Sequence, residues 1–246
     1  MYYCTFKIIM SLKKIFLKSK FTYKIYLYYN LYIRHKCYLN RKQYSQWGED
    51  KFIIDYFKEK NDGIYLDIGC FHPVMYSNTC LLHKKGWSGI NIDINPTSID
   101  LFDIVRPNDF NICTTVGSGN EQYNIFYDDP FSPVNTLSKD FYKKLKIKKN
   151  QNYLDNTINS KTIDEIIKIS KIKKKIDYIN IDVEGMDYDI LSKIKINELK
   201  PDLISIETHN VDGTESKNYN EIKNLLQKNE FILYKRVGPS TLYKSS

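Results

Sequence analysis

The 246-residue sequence contains no G-x-G-x-x-G motif, no C-x-x-C pair and no internal repeat, and its first acidic residue is Glu49. Without the glycine triplet, backbone N–H groups and a helix N-terminus lack the loop through which they approach a dinucleotide pyrophosphate. The cysteines (Cys4, Cys37, Cys70, Cys80 and Cys113) are odd in number and scattered, which suits reduced thiols in a cytosolic protein. Long apolar runs are missing from the N-terminal region. Its longest uncharged stretch, 25–33, is well short of the ~20 residues a membrane-spanning helix needs. Lys7, Lys13, Lys14 and Lys18 interrupt what would have to be the apolar core of a signal peptide.

What is present is an ordinary globular composition, 42% apolar and 27% charged, on a chain long enough for one α/β domain with a real core. The formal charge of +8 would suggest a polyanion partner if it were spread over the protein. It is concentrated instead. Residues 1–42 carry ten Lys/Arg and no acid, and 139–175 carry twelve Lys against four acids. The rest of the chain is acidic. No nucleic-acid partner is therefore expected. Segment 1–42 also interleaves Phe21, Tyr23, Tyr26, Tyr28, Tyr29 and Tyr32 with Lys20, Lys24, Arg34 and Lys36. As a helix it would either lie in the headgroup region of an anionic membrane or pack on the domain or on a second subunit. The expected location is cytoplasmic, with peripheral contact at the inner membrane face in the first case.

From Ser45 onward the pattern becomes regular. Ser45 is expected to N-cap a helix with Trp47, Phe52, Ile53, Tyr56 and Phe57 on its apolar face. The run IYLDIG then reads as a short buried strand, and Ser77 or Asn78 opens a helix that stops at Gly86. Further strands are expected over 90–94, 111–116 and 123–127, with a helix from Asn95-Pro96 to about Val105. A Lys-rich insertion occupies about 128–160. Thr162 and Glu165 form a capping box for the next helix. A buried strand over 176–183, a helix over 186–194, a strand over 203–207 and a helix over 219–228 follow. The last two strands, 231–237 and 241–244, are so close in sequence that they must pair antiparallel. The expected fold is α/β: one domain over about 43–246, a mainly parallel sheet with helices on both faces and a C-terminal antiparallel hairpin.

In such sheets ligands bind beyond the C-terminal strand ends, where the strand order reverses. Those ends carry Asp67 and Gly69, then Asp93, then Asp182 and Glu184, then Glu207 and His209. The first turn, DIGCFHP, has one glycine, and Pro73 removes an N–H donor, so it suits a cofactor without phosphates. S-adenosylmethionine is such a molecule, with a cationic sulfonium and a ribose diol that a carboxylate at Asp93 can hold.

Six ordered blocks, LDIGCFHPVMYSNT, GWSGINIDINP, RPNDFNI, TIDEI, IDYINIDVEGMDYDIL and PDLISIETH, resemble the FkbM family of S-adenosylmethionine-dependent methyltransferases. The resemblance runs from about Ser45 to His209. It implies a class I (Rossmann-like) methyltransferase fold and methyl transfer to a hydroxyl, often on a sugar or a secondary metabolite. It also implies roles for individual residues. Asp67, Gly69 and Cys70 would shape the loop at the methionine end of the cofactor. Asp93 would hold the ribose, with Asn95 beside it. Ser77, Asn78 and Thr79 would face the cofactor carboxylate, Asp182 and Glu184 the transferable methyl, and Gln46 the cofactor or substrate. Pro73 stands where the family often has Gly, and segment 1–42 has no counterpart.

An alcohol is a weak nucleophile, and a base within hydrogen-bond reach helps it. The candidates are His209, Asp182 and Glu184, with His72 and Glu207 on the substrate side. No metal is expected, although Asp182, Glu184 and Glu207 together offer oxygen ligands for a divalent cation. The expected substrate is a small molecule or glycan, specifically a sugar hydroxyl in a cell-surface glycan or its precursor. Two other classes fit parts of the pattern. One is a nicotinamide-dependent oxidoreductase, disfavoured by the missing glycines. The other is a non-catalytic scaffold that binds an anionic membrane or nucleic acid through its basic segments.

Overall fold

A computed structural model describes residues 19–126, 132–144 and 157–246. The chain divides into two compact units, Met1–Lys42 and Gln43–Ser246. In the first, α1 (Lys20–Tyr29) runs directly into a π-helical turn, Asn30–Arg34, and a 3₁₀ turn, Lys36–Tyr38.

The second unit opens with α2 (Glu49–Tyr56), β1 (Ile64–Ile68), α3 (Cys80–Lys84), β2 (Ser88–Asp93), α4 (Pro96–Val105) and β3 (Phe110–Cys113). Three short strands, β4 (Thr115–Val116), β5 (Gln122–Asn124) and β6 (Thr157–Lys161), flank α5 (Lys139–Lys144). Next come α6 (Ile163–Ser170), β7 (Tyr178–Ile181), α7 (Asp187–Ser192), α8 (Ile196–Leu199) and β8 (Leu203–Glu207). The chain closes with α9 (Tyr219–Lys228), β9 (Phe231–Val237) and β10 (Ser240–Ser245). The main sheet has seven strands in the order β3-β2-β1-β7-β8-β10-β9. Its first five strands pair parallel, and β10 pairs antiparallel with both β8 and β9. This is a Rossmann-like sheet ending in the antiparallel hairpin that the sequence requires.

Both faces are covered, which is why β1 is buried along its whole length and lacks a polar side. The period of two sends Ile64, Leu66 and Ile68 toward α6, α7 and α9, where Ile166, Ile190, Leu191, Ile222 and Leu226 meet them. Tyr65 points the other way and packs with Ile53, Phe57, Leu82 and Trp87 from the side of α2 and α3. The Thr162–Glu165 capping box forms in full at the start of α6. Asn95 caps α4 by accepting from Thr97 N at 3.0 Å, with Pro96 at the first helical position.

Several boundaries differ from the sequence expectation. The N-cap of α2 is Gly48. Ser45 serves the turn before it, its hydroxyl accepting from the N–H groups of Gly48 and Asp50 while the Asp50 carboxylate holds Ser45 and Tyr44. Trp47 is 45% exposed and lies over Gly238, so it is not on the buried face of α2. Helix α3 starts after Thr79, because the side chains of Ser77 and Asn78 are drawn into buried contacts. The strand expected over 111–116 breaks after Cys113, and its second half joins the small sheet β4-β6-β5. Strand 123–127 shortens to β5. Much of the expected Lys-rich insertion, 127–131 and 145–156, lies outside the described residues.

Candidate active site

The strand order reverses between β1 and β7, and the chain leaving β1 there is compressed against its neighbour. Gly69 has φ +81°, and a Cβ at this position would lie 1.8 Å from the Asp182 carbonyl oxygen. Only glycine fits. The N–H groups of Gly69 and Cys70 both reach the Ile92 carbonyl, at 2.9 and 3.2 Å. Phe71, also left-handed at φ +47°, donates its N–H to Asp93 Oδ2 at 2.8 Å. Asn95 N donates to the other Asp93 oxygen at 2.7 Å. One carboxylate at the end of β2 thus fixes the loops after both β1 and β2. Burial raises the Asp93 carboxyl to about 6, against the downward pull of those N–H groups.

These loops border a cleft of about 560 Å³, counting its open mouth. Gly69, Phe71, Asp93 and Asn95 line one part of it and Asp182, Val183, Glu184 and Met186 another. Ser132, Pro133, Asn135 and Leu137 supply a wall from the segment after β5. Thr136 pins that wall, its hydroxyl donating to the Glu184 carbonyl at 2.8 Å. Glu184 itself is left-handed at φ +50° and is followed by Gly185 at +91°. A non-glycine residue held in this region stores about 1–3 kcal/mol of strain, which is tolerated where it aims a side chain.

Asp182, Glu184, Glu207, Asp187 and Glu49 crowd together, and every shift that this resolves is upward. Burial and then the charges of Glu207 and Glu184 push Asp182 well up. Burial and Asp187 lift Glu184 to about 7. Burial, then Asp187, Glu184 and Glu49, lift Glu207 to about 9. Asp187 rises to about 6 through burial, although it accepts from Val183 N and Gly185 N. At neutral pH the group therefore retains protons. Among the described residues no cluster of three or more His, Cys, Asp or Glu side chains has a metal-holding arrangement. Asp182, Glu184 and Glu207 do not assemble as a cation site.

Of the residues singled out from sequence, Gly69, Asp93, Asn95, Asp182 and Glu184 meet at this cleft. Others lie behind it. Asp67 is buried, accepting from Thr79 Oγ1 at 2.6 Å and Asn180 Nδ2 at 2.8 Å. Ser77 and Thr79 accept from Arg106, and Asn78 donates to Asn180, so these three act inside the protein and do not line the cleft. Cys70 packs with Ile99 and Phe102. His72 is also buried, its Nδ1 accepting from Val74 N and Met75 N to shape the turn. Glu207 reaches the acidic group from β8. His209 stands apart from the cleft lining: its ring meets Tyr219 edge-on at 5.2 Å, and Nδ1 bonds the Thr208 hydroxyl. Burial and Arg236 lower its pKa. Gln46 is exposed in the turn before α2 and is not part of the lining.

Sequence reasoning missed Phe71, Glu49, Asp187 and, above all, Arg106. The Arg106 side chain is fully buried and reaches Pro73 O, Ser77 Oγ, Thr79 Oγ1 and Tyr65 Oη at 2.6–3.2 Å. Tyr65 in turn donates to Asp109. The RPND stretch was visible, but a charged residue after a helix ordinarily points to water.

A family model described as "Methyltransferase FkbM domain" matches residues 42–233. No curated protein matches the chain. No solved structure matches it either.

Proposed function

The chain belongs to the FkbM methyltransferase family, and from that premise we propose that it is an S-adenosylmethionine-dependent O-methyltransferase acting on a sugar hydroxyl of a cell-surface glycan or its precursor. The strongest support is the convergence of Asp93, Asp182 and Glu184 on one cleft at the strand-order reversal. The residues suit this cofactor. Gly69 lines the cleft and carries no side chain, so a ligand there can come close to the backbone. Asp93 offers a fixed carboxylate for a ribose diol, and the acidic group beyond it favours a cation. When bound, S-adenosylmethionine supplies an electrophilic methyl group carried on a sulfonium.

Chemistry at the acceptor falls to Glu184. Its carboxyl, near 7, is poised to take the proton of an acceptor hydroxyl at neutral pH. Asp182 lines the cleft beside it and offers acceptor oxygens to a neighbouring hydroxyl, a pattern suited to a polyol. The wall formed by residues 132–137 restricts water and holds the acceptor over the strand ends, and positioning of this kind accounts for much of the acceleration of a two-substrate reaction.

Calorimetry with S-adenosylhomocysteine, run beside NAD, tests the cofactor. Binding of the first alone is expected, and binding of NAD alone would overturn the proposal. Incubation with S-adenosylmethionine and a panel of nucleotide sugars and envelope glycans, read by mass spectrometry for an added CH₂, tests the acceptor.

A further inference from the structure

We propose that an exposed aromatic and aliphatic stripe on residues 21–33 docks the protein on an anionic lipid surface. Phe21, Ile25, Tyr28, Tyr32 and Ile33 are 74%, 46%, 44%, 47% and 61% exposed. Spacings of four, three and four residues place Phe21, Ile25, Tyr28 and Tyr32 on one side of the helix. Tyr28 and Tyr32 stack with ring centroids 5.9 Å apart, which makes the patch continuous. Leu27, Asn30 and Leu31, offset from the stripe, are buried. The exposed side is thus apolar, the inverse of the usual surface helix.

Charge identifies the occupant. Residues 1–42 hold ten Lys/Arg and no acid. Lys20, Lys24, Arg34 and Lys36 are all exposed. A second copy of the chain would bring the same cations against these and be repelled. A nucleic acid would satisfy the cations but leave Ile25 and Ile33 in water. An anionic bilayer accepts both, phosphates taking the cations and the acyl boundary taking Phe21, Ile25 and Ile33. Tyr is also a side chain that settles at the headgroup level. No helix among the described residues is long and apolar enough to cross a membrane, so the segment would lie in the interface plane.

The test is independent of methyl transfer. The full chain is sedimented with vesicles of phosphatidylcholine alone or mixed with phosphatidylglycerol. It should pellet with the mixed vesicles only. The triple variant Phe21→Ser, Ile25→Ser, Tyr32→Ser should lose about tenfold or more in partitioning, with its melting temperature unchanged because the altered positions are exposed. Lys20→Gln with Lys24→Gln should weaken binding and reduce its salt sensitivity. Equal pelleting of the triple variant, or equal binding to phosphatidylcholine alone, would overturn the proposal. So would a dimer in sedimentation equilibrium that the triple variant dissolves, or an RNA gel shift that persists at physiological salt while vesicle binding is absent.

Discussion

Gly69 and the Asp182 carbonyl approach so closely that a Cβ on residue 69 would lie 1.8 Å from the oxygen and 2.7 Å from its carbon. The contact joins the ends of the two strands between which the sheet order reverses, and it sets the floor of the cleft. Gly69→Ala must displace one of them and also adopt φ +81°. We expect about 1–3 kcal/mol of destabilisation in chemical denaturation and a larger proportional loss in cofactor affinity.

Asp93→Ala should act mainly on binding. Its carboxylate holds Phe71 N and Asn95 N and faces the cleft. Loss of a charged hydrogen-bonding partner is worth about 1.5–3 kcal/mol, or about 10- to 100-fold in the S-adenosylhomocysteine dissociation constant. Calorimetry measures it, and turnover at saturating cofactor should change much less.

Glu184→Gln should lower kcat by about 10²- to 10⁴-fold, the span of general-base contributions, with cofactor affinity nearly retained. In the unsubstituted protein kcat should rise with pH through about 7 as Glu184 ionises. The variant should lose that limb. By contrast, His209→Ala should leave kcat within a few-fold, since its ring packs on Tyr219 outside the cleft.

Stability should fall as pH rises in the cofactor-free protein. The Glu207 carboxyl is raised from 4.5 to about 9 on folding, so between these values the native state binds more protons than the unfolded one. Its favourable contribution is complete below about pH 4.5 and is lost as pH climbs through about 9. Glu207→Gln should therefore raise the melting temperature at pH 9 relative to the parent and change it little at pH 5. An equal shift at both values would show that the acidic group does not couple to folding.

Arg106→Met leaves Asp109 and Asp67 without their buried counter-charge and releases Pro73, Ser77 and Thr79 together. Removing one partner of a buried charge network typically costs about 3–5 kcal/mol, measurable by urea unfolding. Arg106→Lys should recover only part of it, because an ammonium cannot span all four acceptors.

Strand and helix identities were legible wherever periodicity and punctuation agreed. IYLDI, with Gly69 behind it, could only be a short strand buried on both faces, and Thr162 with Glu165 announced α6. Boundaries failed where a side chain had a distant partner. Ser77 and Asn78 resemble helix caps locally, yet Arg106 and Asn180, far along the chain, claim them. The same local ambiguity made His209 attractive as a base, since its neighbour Tyr219 cannot be foreseen from residue 209.

By itself the sequence determined the α/β alternation, the hairpin and the row of acids at successive strand ends, because each follows from spacing along the chain. It also located the positive charge outside the acidic body, in residues 1–42 and 139–175. Tertiary structure decided which acids share a cleft and which sit behind it. Asp67 and Asp93 both read in sequence as acids at strand ends, but in the parallel register Asp67 stands opposite Asn91, two residues short of Asp93, so Asp67 is enclosed by Thr79 and Asn180 while Asp93 lines the cleft. Carboxyls titrating near 7 and 9 likewise require β7 and β8 to lie side by side, which brings like charges from residues 184 and 207 into one poorly solvated space.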